Sequence, residues 1–203
     1  MARKLPSTFY RRDTELVARE LLGKTLVRVL KSGERVSGRI VETEAYLGAK
    51  DLAAHSSGGL RTARTESMFL AGGHAYVYLI YGMHYCFNVV TREKGEPQAV
   101  LIRALEPVDG IDFMYQRRRV KKETDLASGP GKLCEALQID KSFDRLSLRS
   151  DSLFIENATG LSSRNIVSSP RIGVDYAGEA AQWPLRFYER GNPNVSGFKA
   201  SKR

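Results

Sequence analysis

Apolar and polar positions follow two different periods along this chain. From Asp13 to about Leu22, Leu16, Val17, Glu20 and Leu21 keep helical spacing. Asp13 suits the N-cap there, and Gly23 the position just past the end. Period-two alternation then takes over. Thr25–Leu30 reads as a strand, Lys31-Ser32-Gly33-Glu34 as a turn, and Arg35–Tyr46 as the returning arm of a hairpin. His74–Tyr81, Tyr85–Val90 and Gln98–Leu105 read as three further strands, the last ended by Glu106-Pro107. Gly110–Arg119 and the stretch from Pro130 to about Leu137 read as helices, with Pro130 suited to a first turn. Ser152–Glu156, Ile172–Asp175 and Pro184–Glu189 read as short strands.

The remaining segments are irregular. Residues 1–10 read as an N-terminal arm with Pro6 and Ser7 as breakers, and 190–203 as a Gly/Pro/Asn-rich C-terminal tail. Residues 48–75 form a long polar loop with one helical turn at Glu66–Leu70. Long structureless loops inside compact domains are usually functional. No repeat or linker-like shift divides residues 1–203, so one domain is expected. Its class is α/β in the α+β sense, dominated by antiparallel hairpins. Strands and helices do not alternate regularly enough for a doubly wound sheet.

Charge narrows the partner. The chain has 203 residues, 42% of them apolar, which is ordinary for a globular protein. Its formal charge of +9 is not ordinary and suggests a polyanion, most simply nucleic acid. The run Arg117–Lys122 is either a solvated face or a phosphate contact. Free N–H groups at the start of the helix after Ser128-Gly129 could also meet a phosphate. Cys86 and Cys134 are far apart and match no zinc or iron–sulfur spacing, so reduced cytosolic thiols and no metal are expected. There is no signal-peptide pattern and no apolar run of about 20 residues, so a cytoplasmic protein with no membrane partner is expected. Neither a phosphate loop nor a dinucleotide fingerprint occurs.

Candidate chemistry centres on Gly38–Gly48. Alternation puts Glu42, Glu44 and Tyr46 on one strand face and Val41, Thr43 and Ala45 on the other. Two aligned carboxylates must be wet, paired or catalytic, because burying an unpaired charge is costly. With His55, Tyr78, Tyr81, Asn88 and Arg103 they make a constellation of aromatic faces and a carboxylate. Such faces can stack on a base, more strongly on a cationic one. A carboxylate beside them can act as a general base on water. Tyr76, Tyr78 and Tyr81 in an apolar run read more readily as core than as binding site. Tyr78 and Tyr81, three apart, cannot share a face unless the strand ends before Tyr81. A repair hydrolase, a non-catalytic nucleic-acid binder and a tyrosine-lined pocket for a small cation all fit these residues.

Several of these stretches resemble the alkyladenine (3-methyladenine) DNA glycosylases. They are Gly38–Gly48, Ala53-Ala54-His55-Ser56, Tyr76–Met83, Val100–Pro107, Ser128–Cys134 and Pro184–Tyr188, in that order. Arg61-Thr62-Ala63-Arg64-Thr65 departs from the usual Arg-Thr-Pro-Arg-Asn, and His84 stands where an aromatic residue is often seen. The resemblance implies a curved antiparallel sheet with surrounding helices. It implies excision of alkylated purines from double-stranded DNA: 3-methyladenine, with 7-methylguanine, hypoxanthine and ethenoadenine as further substrates. By position, Glu44 would activate water and Arg103 would hold that water or a phosphate. Tyr46, His55, Tyr78 and Asn88 would form the base pocket, with Asn88 rejecting a guanine amino group. Tyr81 would be the wedge inserted into the duplex, with Met83 beside it. Arg61, Arg64, Gly131 and Lys132 would meet the DNA backbone. A monofunctional, cofactor-free enzyme working as a monomer is expected.

Overall fold

The computed structural model describes residues 3–197. Eight strands form one antiparallel sheet. β1 (Thr25–Val29) and β2 (Arg35–Tyr46) make the expected hairpin. β3 (Ala75–Ile80), β4 (His84–Thr91) and β5 (Gln98–Asp109) follow as a meander. β6 (Leu153–Glu156), β7 (Ile166–Ser169) and β8 (Arg186–Glu189) complete it. The strand order is β3-β4-β5-β2-β1-β6, with β8 pairing β2 and β7 pairing β8. β2 is the hub. β5 runs along one of its edges, while the other edge passes from β1 at Arg35–Arg39 to β8 at Glu42–Glu44. That change of partner, with bulges in the β2–β5 ladder, curls the sheet into a half-barrel.

Helices cover one face. α1 (Ser7–Tyr10) is a single turn that buries Tyr10. α2 (Thr14–Leu21) starts on its expected cap, the Asp13 carboxylate accepting the Leu16 N–H at 3.1 Å. α3 (Ile111–Arg117) and α4 (Pro130–Ala136) lie later in the chain. Val17 and Leu21 of α2, Met114 of α3 and Leu133 of α4 share one core with Ile40, Ala45, Val77, Phe87, Val89, Ile102 and Phe187 of the sheet. Residues 3–5 lie along β6, with the Leu5 N–H donating to the Ile155 carbonyl at 2.9 Å. The 48–75 loop contains the expected turn at Glu66–Phe69 and two more short 3-10 turns, Gly48–Lys50 and Ser57–Gly59.

Two expectations fail locally. β5 does not end at Glu106-Pro107 but runs on to Asp109. A register shift between Ser37 and Gly38 makes Val108 an extra residue, and a bulge of this kind tolerates the missing N–H of Pro107. Ile172–Asp175 is not a strand; the nearby strand is β7, Ile166–Ser169. The chain turns after Arg171, whose guanidinium is anchored to Asp51 and to the Ala45 and Ala180 carbonyls, and Gly173 takes φ +77°. That left-handed conformation breaks a strand and favours glycine.

Candidate active site

Glu42 and Glu44 sit on the sheet face opposite the helices, and neither is solvated: both are 0% exposed. Two opposed register shifts bracket Glu42. Val41 is the extra residue on β2, and Arg103 the extra residue on β5. Strict alternation therefore breaks at Val41, which packs with Ala104, Val195 and Tyr188. Thr43 and Ala45 keep to the helical side, the Thr43 hydroxyl donating to the Ala18 carbonyl of α2. The same bulges aim Arg103 at both carboxylates. Its Nε donates to Glu42 Oε1 at 2.9 Å, and its Nη1 lies 3.2 Å from Glu44 Oε2. Burial alone would depress the Arg103 pKa; the charges of Glu44 and Glu42 outweigh it and hold it above its ordinary value.

The two carboxylates differ in how full they are. A carboxylate has about four lone-pair directions. Glu42 accepts four hydrogen bonds: Arg103 Nε, Arg186 Nε at 2.6 Å and Ser196 Oγ at 2.8 Å on Oε1, and the Ser196 N–H at 2.7 Å on Oε2. Glu44 accepts two, the Tyr46 hydroxyl at 2.9 Å on Oε2 and the Ile172 N–H at 2.8 Å on Oε1, with the Arg103 guanidinium alongside as its ion-pair partner. Glu44 therefore keeps acceptor capacity on both oxygens.

Beside Glu44 lies a cavity of about 380 Å³ that brings together Tyr46, His55, Tyr78, Tyr81, Asn88, Arg103 and Gly131. Burial, then the Glu44 charge, pushes the Tyr46 phenol well above its ordinary pKa, so it remains a donor. His55 meets Tyr78 edge to face, with centroids 4.6 Å apart, and its Nδ1 is 2.9 Å from the Tyr76 hydroxyl. Burial, aided by the Arg64 charge, pushes the His55 pKa down to about 4 and leaves the ring neutral. Burial likewise raises the Tyr78 phenol. Asn88 is buried and donates Nδ2 to the Tyr76 carbonyl at 3.1 Å.

β3 ends at Ile80, so Tyr78 and Tyr81 are free to part. Tyr78 lines the cavity wall, whereas Tyr81 stands at the hairpin tip, 84% exposed with φ +54°. Met83, 70% exposed, follows it and borders a second cleft with His84 and Tyr85. Gly131 backs onto His84, where a Cβ would come within 3.1 Å of the His84 Cβ. Lys132 is exposed, its Nζ 3.3 Å from Ser128 Oγ. Arg61 is paired with Glu66, while the Arg64 guanidinium lies over the Tyr78 ring, 5.0 Å from its centroid. The loop between them is tied by Thr62 and Thr65, the Thr62 N–H donating to Thr65 Oγ1 at 2.8 Å. In the basic run, Arg117 is tied to the Phe113 and Ala136 carbonyls and Arg118 to Glu135, leaving Arg119, Lys121 and Lys122 exposed.

The family model described as methylpurine-DNA glycosylase (MPG) matches residues 8–193. The chain belongs to this family. It is therefore a DNA glycosylase of the methylpurine class, with DNA as its substrate. It is 50% identical to a protein of Desulfitobacterium hafniense over 96% of this chain and 98% of that one. It is 54% identical to one of Bacillus mycoides (94% and 98%) and 48% identical to one of Clostridium acetobutylicum (97% and 98%). The names of all three provisionally assign them to the 3-methyladenine DNA glycosylases. Among the glycosylase's described residues, no helix is long and apolar enough to cross a membrane.

Sequence reasoning missed several residues that shape this glycosylase's site. Arg171 forms a fully buried pair with Asp51, Nη2 to Oδ1 at 2.8 Å, and lies over the Tyr46 ring at 4.7 Å. That anchor delivers the Ile172 N–H to Glu44. Pro170 and Gly173 bracket the segment and carried a turn signal that the strand assignment overrode. Ser196, from the stretch expected as a tail, and Arg186 of β8 hold Glu42. Nothing local in the sequence signals either contact.

Proposed function

We propose that this glycosylase excises alkylated purines, 3-methyladenine first, by flipping the lesion into the aromatic cavity and hydrolysing its glycosidic bond with water activated by Glu44. The observation that carries this reading is the contrast between the two buried carboxylates: Glu42 accepts four hydrogen bonds, whereas Glu44 accepts two, and its partners Tyr46, Arg103 and Ile172 line the cavity. A water accepted there can give its proton to Glu44. As the water oxygen bonds to C1′, the C1′–N9 bond breaks. Its electron pair neutralises the cationic purine, which leaves. The products are free base and an abasic sugar. Arg103 and Tyr46 hold Glu44 in orientation, and the carboxylate stabilises positive charge developing on the sugar.

The cavity suits a flat, electron-poor base. Its volume is within the usual range for a small ligand, about 300–1,000 Å³. Tyr46 and Tyr78 offer faces for stacking. Neutral His55 adds an edge without repelling a cation. Asn88, its amide tied to Tyr76, stands where a guanine amino group would need room. Tyr81 fills the gap left in the duplex, offsetting part of the few kcal/mol that unstacking costs. Met83 lies beside it on the DNA. Arg61, Arg64, Gly131 and Lys132 face the backbone, and Arg64 must leave the Tyr78 face for a base to stack there. Among the described residues no lysine lines the cavity, and the reaction is proposed to stop at the abasic site. One copy of the chain carries every proposed group, so a monomer suffices.

The test is incubation with methylated duplex DNA and identification of the bases released. Free 3-methyladenine is expected. Glu44→Gln should bind that DNA and release nothing; excision by this variant at the original rate would remove Glu44 from the role.

A further inference from the structure

The carboxylate that the mechanism leaves unused is Glu42. It is fully buried, two residues from Glu44 on the same face, and bound by two guanidiniums, Arg103 and Arg186, and by both the N–H and hydroxyl of Ser196. Arg103 divides its nitrogens between the two carboxylates, Nε to Glu42 and Nη1 to Glu44. Arg186 stands opposite Glu44 in the β2–β8 ladder but gives its Nε to Glu42. A buried charge cluster this extensive is more than stability needs, since buried ion pairs contribute little net stabilisation. What it does supply is a fixed arginine beside Glu44 whose charge is half neutralised.

We infer that Glu42 is a positioning residue for base excision: acting through Arg103, it orients Glu44 toward the attacking water and offsets the excess positive charge beside it. The inference rests on Glu44 being the base proposed above. The charge count shows why Glu42 matters. Glu44 is faced by Tyr46 and Glu42 from its own strand, Arg103 from β5, Cys86 from β4 and Arg186 from β8. Arg171 faces it from the loop after β7, with its partner Asp51. Arg171 and Asp51 neutralise each other. Tyr46 and Cys86 stay neutral, because burial raises both above their ordinary pKa. That leaves two carboxylates shared between two guanidiniums. Without Glu42, both arginines would act on Glu44 alone, and the charge around it would turn net positive. Strand geometry puts the two Cα atoms about 6.6 Å apart, close enough for the loss of one charge to move the acid limb of the rate by about two pH units at an effective dielectric near 20.

The experiment compares pH–rate profiles for release of a cationic alkylpurine, which needs no protonation to depart, so the acid limb reports the base alone. Glu42→Gln leaves two positive charges against one negative. It should move the acid limb down by about two pH units and lower the plateau at least tenfold. Arg186→Met leaves two negative charges against one positive and should move the limb up by a similar amount. Opposite shifts are the readout that a merely structural role cannot produce. Glu44→Gln, run in parallel, separates the failures. If it retains the acid limb, the assignment of the base is at fault. If it abolishes base release while Glu42→Gln and Arg186→Met shift nothing or shift the same way, the role of Glu42 is overturned and Glu44 stands. Should Glu42→Gln not fold, the direction of the Arg186→Met shift decides.

Discussion

The Tyr46 hydroxyl donates to Oε2 of Glu44 across 2.9 Å, from two residues further along the same strand. Two donors orient Glu44, this hydroxyl and the Ile172 N–H, with the Arg103 guanidinium alongside as its ion-pair partner. Tyr46→Phe keeps the ring under Arg171 but removes the donor. A hydrogen bond to a charged group contributes about 1.5–3 kcal/mol, so base release should fall about ten- to a hundredfold. Single-turnover rates on a methylated duplex measure this, and DNA affinity should be unchanged.

Tyr81 is a large aromatic side chain held in water at φ +54°. That conformation is unfavourable for a non-glycine residue. Tyr81→Gly removes the conformational strain and almost no packing, so thermal stability should change by less than about 1 kcal/mol. Base release from duplex DNA should nevertheless drop about tenfold or more, because nothing fills the vacated stack. A lesion in a single-stranded oligonucleotide should lose much less. Equal losses on both substrates would contradict the wedge.

His55 links pH to stability. Its pKa is near 6.5 when unfolded and about 4 in the fold, lowered first by burial and then by Arg64. Between those values the unfolded chain binds the proton and the folded one does not, so this group's contribution rises with pH. It is complete above about pH 6.5 and is lost as pH falls toward 4. His55→Gln should flatten that part of the melting-temperature profile. The variant should also widen the cavity wall and slow excision at neutral pH.

The Arg171–Asp51 pair is buried on both sides. Arg171→Met leaves a carboxylate without its charge partner and should cost about 3–5 kcal/mol in denaturant unfolding. Replacing both partners with apolar residues should recover most of that stability. It should not recover excision, because the turn that delivers the Ile172 N–H to Glu44 would remain unanchored.

Local regularities were legible because local rules produce them. The Asp13 cap, the hairpin from β1 to β2 and the β3–β4–β5 meander depend on periodicity and turn chemistry within about a dozen residues. The segment after Arg171 was misread because its apolar pattern suits a strand, while the force that turns it is a partner 120 residues earlier. Strict alternation failed at Val41 for a similar reason: a bulge belongs to the pairing of two strands, and neither sequence alone carries it.

From the sequence alone came the strands, the basic charge, the family motifs and a face bearing Glu42, Glu44 and Tyr46. Periodicity left the two carboxylates equivalent, and only the family resemblance singled out Glu44. Tertiary structure supplied the physical difference. The paired bulges turned Arg103 toward both, Ser196 arrived from 154 residues away to give Glu42 two more donors, and the Arg171 anchor placed a single N–H on Glu44. Hydrogen-bond capacity is a property of three-dimensional neighbours, and only the closed fold leaves Glu44 with a direction to spare.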